Sequence, residues 1–336
     1  MMPHNVLLID LTCAHCLYAH VQVLFDTMQL TPTQLSISYN PRGVGMNYSS
    51  NTAGMRLSDC RMLARALAHT ETLVVLDLRN NSLNDDMTRM LASGLADNIS
   101  VTHLNLSHNS ISDRGVRALA KLLDDNSIIC ALDLSGNQLQ ADGGRALARA
   151  VSHSRALQSL NLRLNRLGDE GCRAICEALA RAGAAVAAAP SPAASSGTSH
   201  GSSTGLGATA ASTPTGAGAG AGAGKAPAQA ACVLQQLNLS SNGAGVGLVP
   251  ALCSMLRSCS SLRELDLSCN QLGERLSTDL LSAAASNPGL CALDVRGCGV
   301  GAEAEGALQQ LMLDREAERE AGKLFGWAGS NGGMGH

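Results

Sequence analysis

Aromatic side chains are scarce: two Phe, three Tyr and one Trp among 336 residues. They stand at Tyr18, Phe25, Tyr39, Tyr48, Phe325 and Trp327. A core made without them must be aliphatic, and a surface without them lacks the platforms on which bases stack. A dominant charge is missing too, since 24 basic and 27 acidic residues leave a net charge of −3. That balance gives no broad electrostatic footprint for nucleic acid or for an anionic membrane. The longest apolar stretch, VLLIDLTCAHCLYAHVQVLF, is interrupted by Asp10 and is too polar to span a bilayer. It has no basic n-region and no small-residue cleavage site, so a soluble, intracellular chain without a signal peptide is expected. Catalytic signatures are lacking as well: G-x-S-x-G and H-E-x-x-H do not occur, and GAGAGAGAG has no GK[ST] ending. The scattered His69, His103, His108 and His153 form no constellation. No enzyme, cofactor, small-molecule substrate, nucleic acid or membrane partner is expected.

What is present is a period. The pattern LxxLxLxxNxL returns every 28 residues, as Leu73-Leu76-Leu78-Asn81-Leu83, then Val101-Leu104-Leu106-Asn109-Ile111, then Ile129-Leu132-Leu134-Asn137-Leu139, then Leu157-Leu160-Leu162-Asn165-Leu167. It resumes as Leu234-Leu237-Leu239-Asn242, Leu262-Leu265-Leu267-Asn270-Leu272 and Leu290-Leu293-Val295-Cys298-Val300. This is a leucine-rich repeat array. The short xLxL segment predicts a strand with both leucines in the core. The rows Leu91/Leu95, Leu119/Leu123, Leu147/Val151, Ile175/Leu179, Leu252/Leu256 and Leu280/Ala284 predict one inward helix face per repeat. Parallel strands sit about 4.8 Å apart and packed helices about 8–10 Å apart, so equal numbers of each cannot stack straight. The expected fold is therefore α/β: a curved solenoid with parallel strands inside and helices outside.

The asparagine has its own chemistry. Where the chain leaves each strand, backbone groups lose their ladder partners, and a side-chain amide supplies both donors and an acceptor. Asn81, Asn109, Asn137, Asn165, Asn242 and Asn270 are expected to form a stacked structural column, with Cys298 taking the place in the last repeat.

The organisation follows from the frame. Residues 1–31 read as an N-terminal helical cap and 32–182 as repeats. The first repeat is degenerate: Leu35 to Leu76 is one repeat plus a 13-residue loop, and its helix starts at Ser58-Asp59 with Met62, Leu63 and Leu67 inward. Residues 183–231 are Gly-, Ala- and Ser-rich, carry one charge (Lys225), and cannot bury enough surface to offset ordering entropy. They read as a disordered insertion, because Leu157 to Leu234 spans one repeat plus 49 residues and the frame resumes intact. Residues 232–313 continue the same solenoid, and 314–336 read as a charged helix ending in a loose tail.

Twelve cysteines are expected to stay reduced in an intracellular protein. Cys130, Cys232, Cys269, Cys291 and Cys298 fall at repeat-defined sites and read as small buried or half-buried hydrophobes. Cys172 and Cys176, one helical turn apart, suit packing. The stretch Cys13-Ala14-His15-Cys16 with His20 is the one place resembling a metal or redox site. A zinc site needs a second ligand pair and a redox pair needs a thioredoxin-like strand–helix junction; neither accompanies it. No metal is expected.

The working surface is expected on the strand side, where such arrays bind other proteins. Its candidates are Asp77, Arg79, His103, Asn105, Ser107, Asp133, Ser135, Asn161, Arg163, Asn238, Arg263, Asp266, Asp294 and Arg296, a mildly acidic stripe edged by arginine.

The repeats resemble the ribonuclease-inhibitor-like class. More specifically, Gly45-Met46-Asn47-Tyr48, DCRMLARAL (Asp59 to Leu67), LNLSHNSISDRG (Leu104 to Gly115), LNLRLNRLGDEG (Leu160 to Gly171) and DREAEREA resemble the dynein regulatory complex subunit 5 family, the t-complex-associated testis-expressed type. The match covers most of 33–182 and 232–323, and the chain departs from it by the long insertion. The resemblance implies a non-catalytic scaffold subunit of the nexin-dynein regulatory complex in the axoneme of motile cilia and flagella. Its partners would be other subunits of that complex, coiled-coil ones included, with indirect association to doublet microtubules and dynein. Two other classes use similar arrays. A GTPase-activating protein would need catalytic groups at one rim, and an inhibitor gripping a basic enzyme would need a strongly acidic face. The residues single out neither.

Overall fold

A computed structural model describes residues 6–10, 33–38, 54–187, 233–274 and 277–330. They form one nine-stranded parallel sheet whose strands follow chain order without a crossover. Two five-residue strands, β1 (Val6–Asp10) and β2 (Gln34–Ser38), begin it. Seven three-residue strands follow: β3 (Val75–Asp77), β4 (His103–Asn105), β5 (Ala131–Asp133), β6 (Ser159–Asn161), β7 (Gln236–Asn238), β8 (Glu264–Asp266) and β9 (Ala292–Asp294). Helices return the chain from β2 onward: α1 (Leu57–Leu67), α2 (Asp85–Leu95), α3 (Asp113–Asp125), α4 (Ala141–His153), α5 (Gly168–Ala187), α6 (Val249–Ser258), α7 (Ser277–Ala285) and α8 (Ala302–Ser330). Each helix packs on its neighbours in sequence, and so does each strand.

The core lies between the two layers. Both leucines of each regular strand segment are buried, from Leu76 and Leu78 to Leu265 and Leu267, and so is every expected helix row from Leu91/Leu95 to Leu280/Ala284. Burying a Leu side chain contributes about 1.5–3 kcal/mol, which is how three-residue strands persist. Acidic residues open most helices, among them Asp85, Asp86, Asp113, Asp142, Asp169 and Glu170, where they face the positive end of the helix dipole. The helices meet closely enough that a Cβ added to Gly144 would come 2.6 Å from the Gly171 Cα, so α4 and α5 touch through backbone.

The frame holds across the long interruption: Ser159, Leu160 and Asn161 pair with Gln236, Leu237 and Asn238 as if adjacent in sequence.

Three boundaries differ from expectation. Val6–Asp10, expected within a helical cap, is a strand in parallel register with β2. Val-Leu-Leu-Ile is a short apolar run, and periodicity alone cannot tell such a run from buried helix. The rest of that cap, with Cys13, His15, Cys16 and His20, lies outside the described residues. So do Asn40, the Gly45–Tyr48 stretch, Cys232 and residues 188–231. Second, α5 runs to Ala187, past the expected start of the insertion at Gly183. Alanine is the strongest helix former, and a Cβ on Gly183 would lie 2.3 Å from the Ser258 carbonyl oxygen, so this extension rests on the end of α6. Third, α8 continues through Ser330, past Trp327 where a loose tail was expected.

Candidate protein-binding face

Each strand exit is held by an asparagine side chain. Asn109 donates Nδ2 to the carbonyls of Leu78 (3.0 Å), Leu106 (2.9 Å) and Ser107 (3.2 Å). Its Oδ1 accepts from the N–H of Asn81 (2.9 Å) and Leu83 (3.0 Å). Asn81, Asn137, Asn165, Asn242 and Asn270 occupy the same place, all at most 7% exposed. Asn242 donates to Leu162 O at 2.9 Å across the 80-residue gap. In the last repeat the Cys298 thiol donates to Leu267 O at 2.9 Å, replacing one amide donor. The residue just before this column turns with positive φ in every regular repeat, non-glycine ones included: Asn80 (56°), His108 (54°), Leu164 (56°), Ser241 (53°) and Cys269 (58°). Cys269 is consequently exposed rather than packed, because the left-handed turn carries its side chain out of the layer.

The fourteen candidate residues divide by role. Asp77, Asn105, Asp133, Asn161, Asn238, Asp266 and Asp294 recur at one place on the strand face, and each Oδ1 accepts the N–H two residues on, at 2.8–3.1 Å. This is the Asx-type closure that favours Asp and Asn at a turn. Their alternation is thus rooted in backbone geometry, and Asp77 is itself buried. Cross-strand bonds already engage some of these side chains: Asn161 Nδ2 donates to Asp133 Oδ2 at 3.1 Å, and Asn238 Nδ2 to Asp266 Oδ2 at 2.8 Å. Ser107 and Ser135 are buried and donate to Asn105 and Asp133 at 2.7 Å.

The arginines two residues later sit at the rim. Arg79 donates to Asp77 Oδ2 from Nε (2.8 Å) and Nη2 (2.6 Å), and Arg296 grips Asp294 in the same way. The Arg296 hydrogen bond holds the Asp294 carboxyl below the usual carboxylate range, and the Asp77 bond raises the Arg79 guanidinium further. Arg163 pairs with no acid among the described residues. His103 is exposed, its Nδ1 2.8 Å from Thr102 Oγ1. With Asn105, Asp133 and Asn161 it borders a shallow depression of about 260 Å³ across β3–β6.

Arg263 is exposed but stands just before β8, so Glu264 rather than Arg263 is the neighbour of Asp266 on the strand face. Ser159, Gln236 and Glu264 share the register position of His103 and complete this face, though they were not among the candidates; Gln236 Nε2 donates to Glu264 Oε2 at 3.0 Å.

A second buried polar column, at the helix exits, was also missed. Asn126 Nδ2 donates to Leu95 O and Asn98 O, Asn98 Nδ2 to Leu67 O and Thr70 O, and Asn287 Nδ2 to Cys259 O, all within 2.8–3.1 Å. Arg315, 28 residues after Asn287, closes the series by donating to the carbonyls of Ala284, Ala285 and Leu290 at 2.9–3.0 Å. A cation at the C-terminal end of α7 also faces its negative pole.

The buried thiols are inert by environment. Burial pushes Cys60 and Cys172 up to about 12 and raises Cys176 still further, which removes the thiolate that reactivity requires. Among the described residues no cluster of His, Cys, Asp and Glu is placed to hold a metal ion, and no helix is long and apolar enough to cross a membrane.

The family model for the leucine-rich repeat matches residues 97–120, 130–148, 153–176 and 258–274. Dynein regulatory complex subunit 5 of Chlamydomonas reinhardtii is 59% identical over 66 residues, which are 20% of this chain and 17% of the relative. The chain thus spans under a fifth of that curated relative in the matched segment. Among solved structures, leiomodin-1 actin-binding site 2 is 16% identical with a TM-score of 0.34, covering 42% of this chain and 77% of that one. The tropomodulin C-terminal domain of Caenorhabditis elegans is 17% identical with a TM-score of 0.37, covering 48% and 92%. The strand register, the asparagine column and the matched repeats together give this chain a leucine-rich repeat fold, with a 66-residue segment similar to dynein regulatory complex subunit 5.

Proposed function

We propose that this chain is a non-catalytic assembly subunit of the nexin-dynein regulatory complex in the axoneme of motile cilia and flagella. The observation that carries this reading is the 59% identity to a dynein regulatory complex subunit over 66 residues. Its strand face, centred on His103, Asn105, Asp133 and Asn161 and edged by Arg79, Arg163 and Arg296, docks other subunits of the complex, coiled-coil ones included. Contact with doublet microtubules and dynein is indirect. The physical support is a surface whose polar groups are fixed by backbone bonds before any partner arrives, which lowers the ordering cost of association. Cross-linking mass spectrometry on isolated axonemes, with this chain tagged, tests the reading. Cross-links from strand-face residues to regulatory-complex subunits are expected. Recovery of the chain in the detergent-soluble fraction, with no axonemal cross-links, refutes it.

A further inference from the structure

The ladder ends with its bonds unmade. At each earlier joint one carbonyl at the strand entry receives two N–H groups from the next strand: Cys130 O takes Gln158 N (2.7 Å) and Ser159 N (3.0 Å), and Gln235 O takes Arg263 N (2.8 Å) and Glu264 N (2.9 Å). At the exits the bonds run the other way, with Leu267 N donating to Asp294 O and Cys269 N to Arg296 O, both at 2.8 Å. The matching groups on β9 are the carbonyl of Cys291 and the N–H of Val295 and Gly297, and none of the three is engaged by a following strand among the described residues. Residues 320–322, one period beyond β9, lie inside α8. An open edge of this kind is a template for another chain.

Beside the edge lies a groove of about 490 Å³, between β9 and α8. Its floor is apolar, made by Leu293, Leu308 and Met312. Leu293 is only half-buried, whereas its counterparts Leu237 and Leu265 are each 2% exposed. The rim is acidic, with Glu264, Glu305 and Glu316, and its one cation, Arg296, is already held by Asp294.

We propose that this edge receives an extended segment of a partner protein as a tenth strand, one in which aliphatic residues alternate with Lys or Arg. Backbone pairing to Cys291, Val295 and Gly297 provides the register. Alternate side chains enter the Leu293–Leu308–Met312 floor, and the basic ones between them meet the acidic rim. The same charges oppose a second copy, because joining two β9 edges brings two acidic rims together. This inference concerns the end of the array and stands whether or not the strand face serves an axonemal assembly.

A fluorescein-labelled peptide of alternating Lys and Val, titrated into the full chain and followed by anisotropy, tests it. Saturable binding is expected. N-methylation of alternate peptide residues, which blocks backbone pairing, should weaken it about tenfold or more, as should the double variant Glu305→Lys/Glu316→Lys. The remote pair Asp124→Lys/Asp125→Lys on α3 should leave it unchanged. Equal binding of the N-methylated peptide, or equal weakening by the α3 pair, would reduce the effect to general charge attraction and overturn the proposal. Absence of saturable binding overturns it, and so does a dimer in sedimentation that the peptide fails to dissociate. The peptide arm decides the matter even if a variant fails to fold.

Discussion

The repeats before and after the long insertion use one plan with unequal strictness. In β3–β6 every strand exit has its asparagine and the strand leucines are sealed. After the insertion, β7 and β8 keep the plan, but at β9 a thiol replaces the amide and Leu293 is half open. Between them the joint of β6 and β7 is indistinguishable in register from its neighbours. A long connection thus leaves a parallel ladder undisturbed, since closure entropy grows only slowly with loop length. Position relative to the end of the stack does matter: a repeat covered on one side only has less to seal.

That contrast is open to measurement. Leu160→Ala should cost about 2–5 kcal/mol through the cavity it leaves, and Leu293→Ala under about 1.5 kcal/mol because its site is partly solvated; urea unfolding of both variants compares them. Equal losses would mean that the terminal repeat is as closely packed as the middle. Next, Asn137→Ala leaves the buried N–H of Ile111 unpaired and takes one of two amide donors from each of the carbonyls of Leu106 and Leu134, for about 1–3 kcal/mol. Cys298→Ala gives up chiefly the one weak thiol bond and should cost about 1 kcal/mol or less by the same measurement.

The third pair should show no contrast. Leu164→Gly and Cys269→Gly each relieve a left-handed residue, one on either side of the insertion, and each should gain up to about 1 kcal/mol in thermal unfolding. A loss at either site would show that the side chain matters more than the turn. The smallest effect belongs to the Asp294–Arg296 pair. Because Asp294 is held below its ordinary value, its contribution is present above about pH 4 and disappears as pH falls through the lowered folded value. Wild type and Asp294→Asn should therefore differ in melting temperature at neutral pH and converge in acid; a difference that persists at pH 2 would place the effect elsewhere.

The inward leucines and the first asparagine column were legible because one residue type recurs at one spacing. The second column was hidden by its chemistry: asparagine at Asn98, Asn126 and Asn287 gives way to Ser154, whose Oγ accepts a backbone N–H, and to Arg315, whose guanidinium donates to backbone carbonyls. The strand-face candidates were legible as a set, yet their Asp/Asn alternation looked like recognition and proves to be turn closure as well. Glu264 was overlooked beside Arg263 because three-residue strands offer too little alternation to fix their own start. Val6–Asp10 carried no period at all.

One consequence of the sequential ladder is mechanical. Bonds between neighbouring strands run along the stacking direction, and each unit touches only the next. Pull the two ends apart and the force falls on a single joint at a time, so the chain would yield in steps, each freed unit paying out on the order of 90 Å of slack.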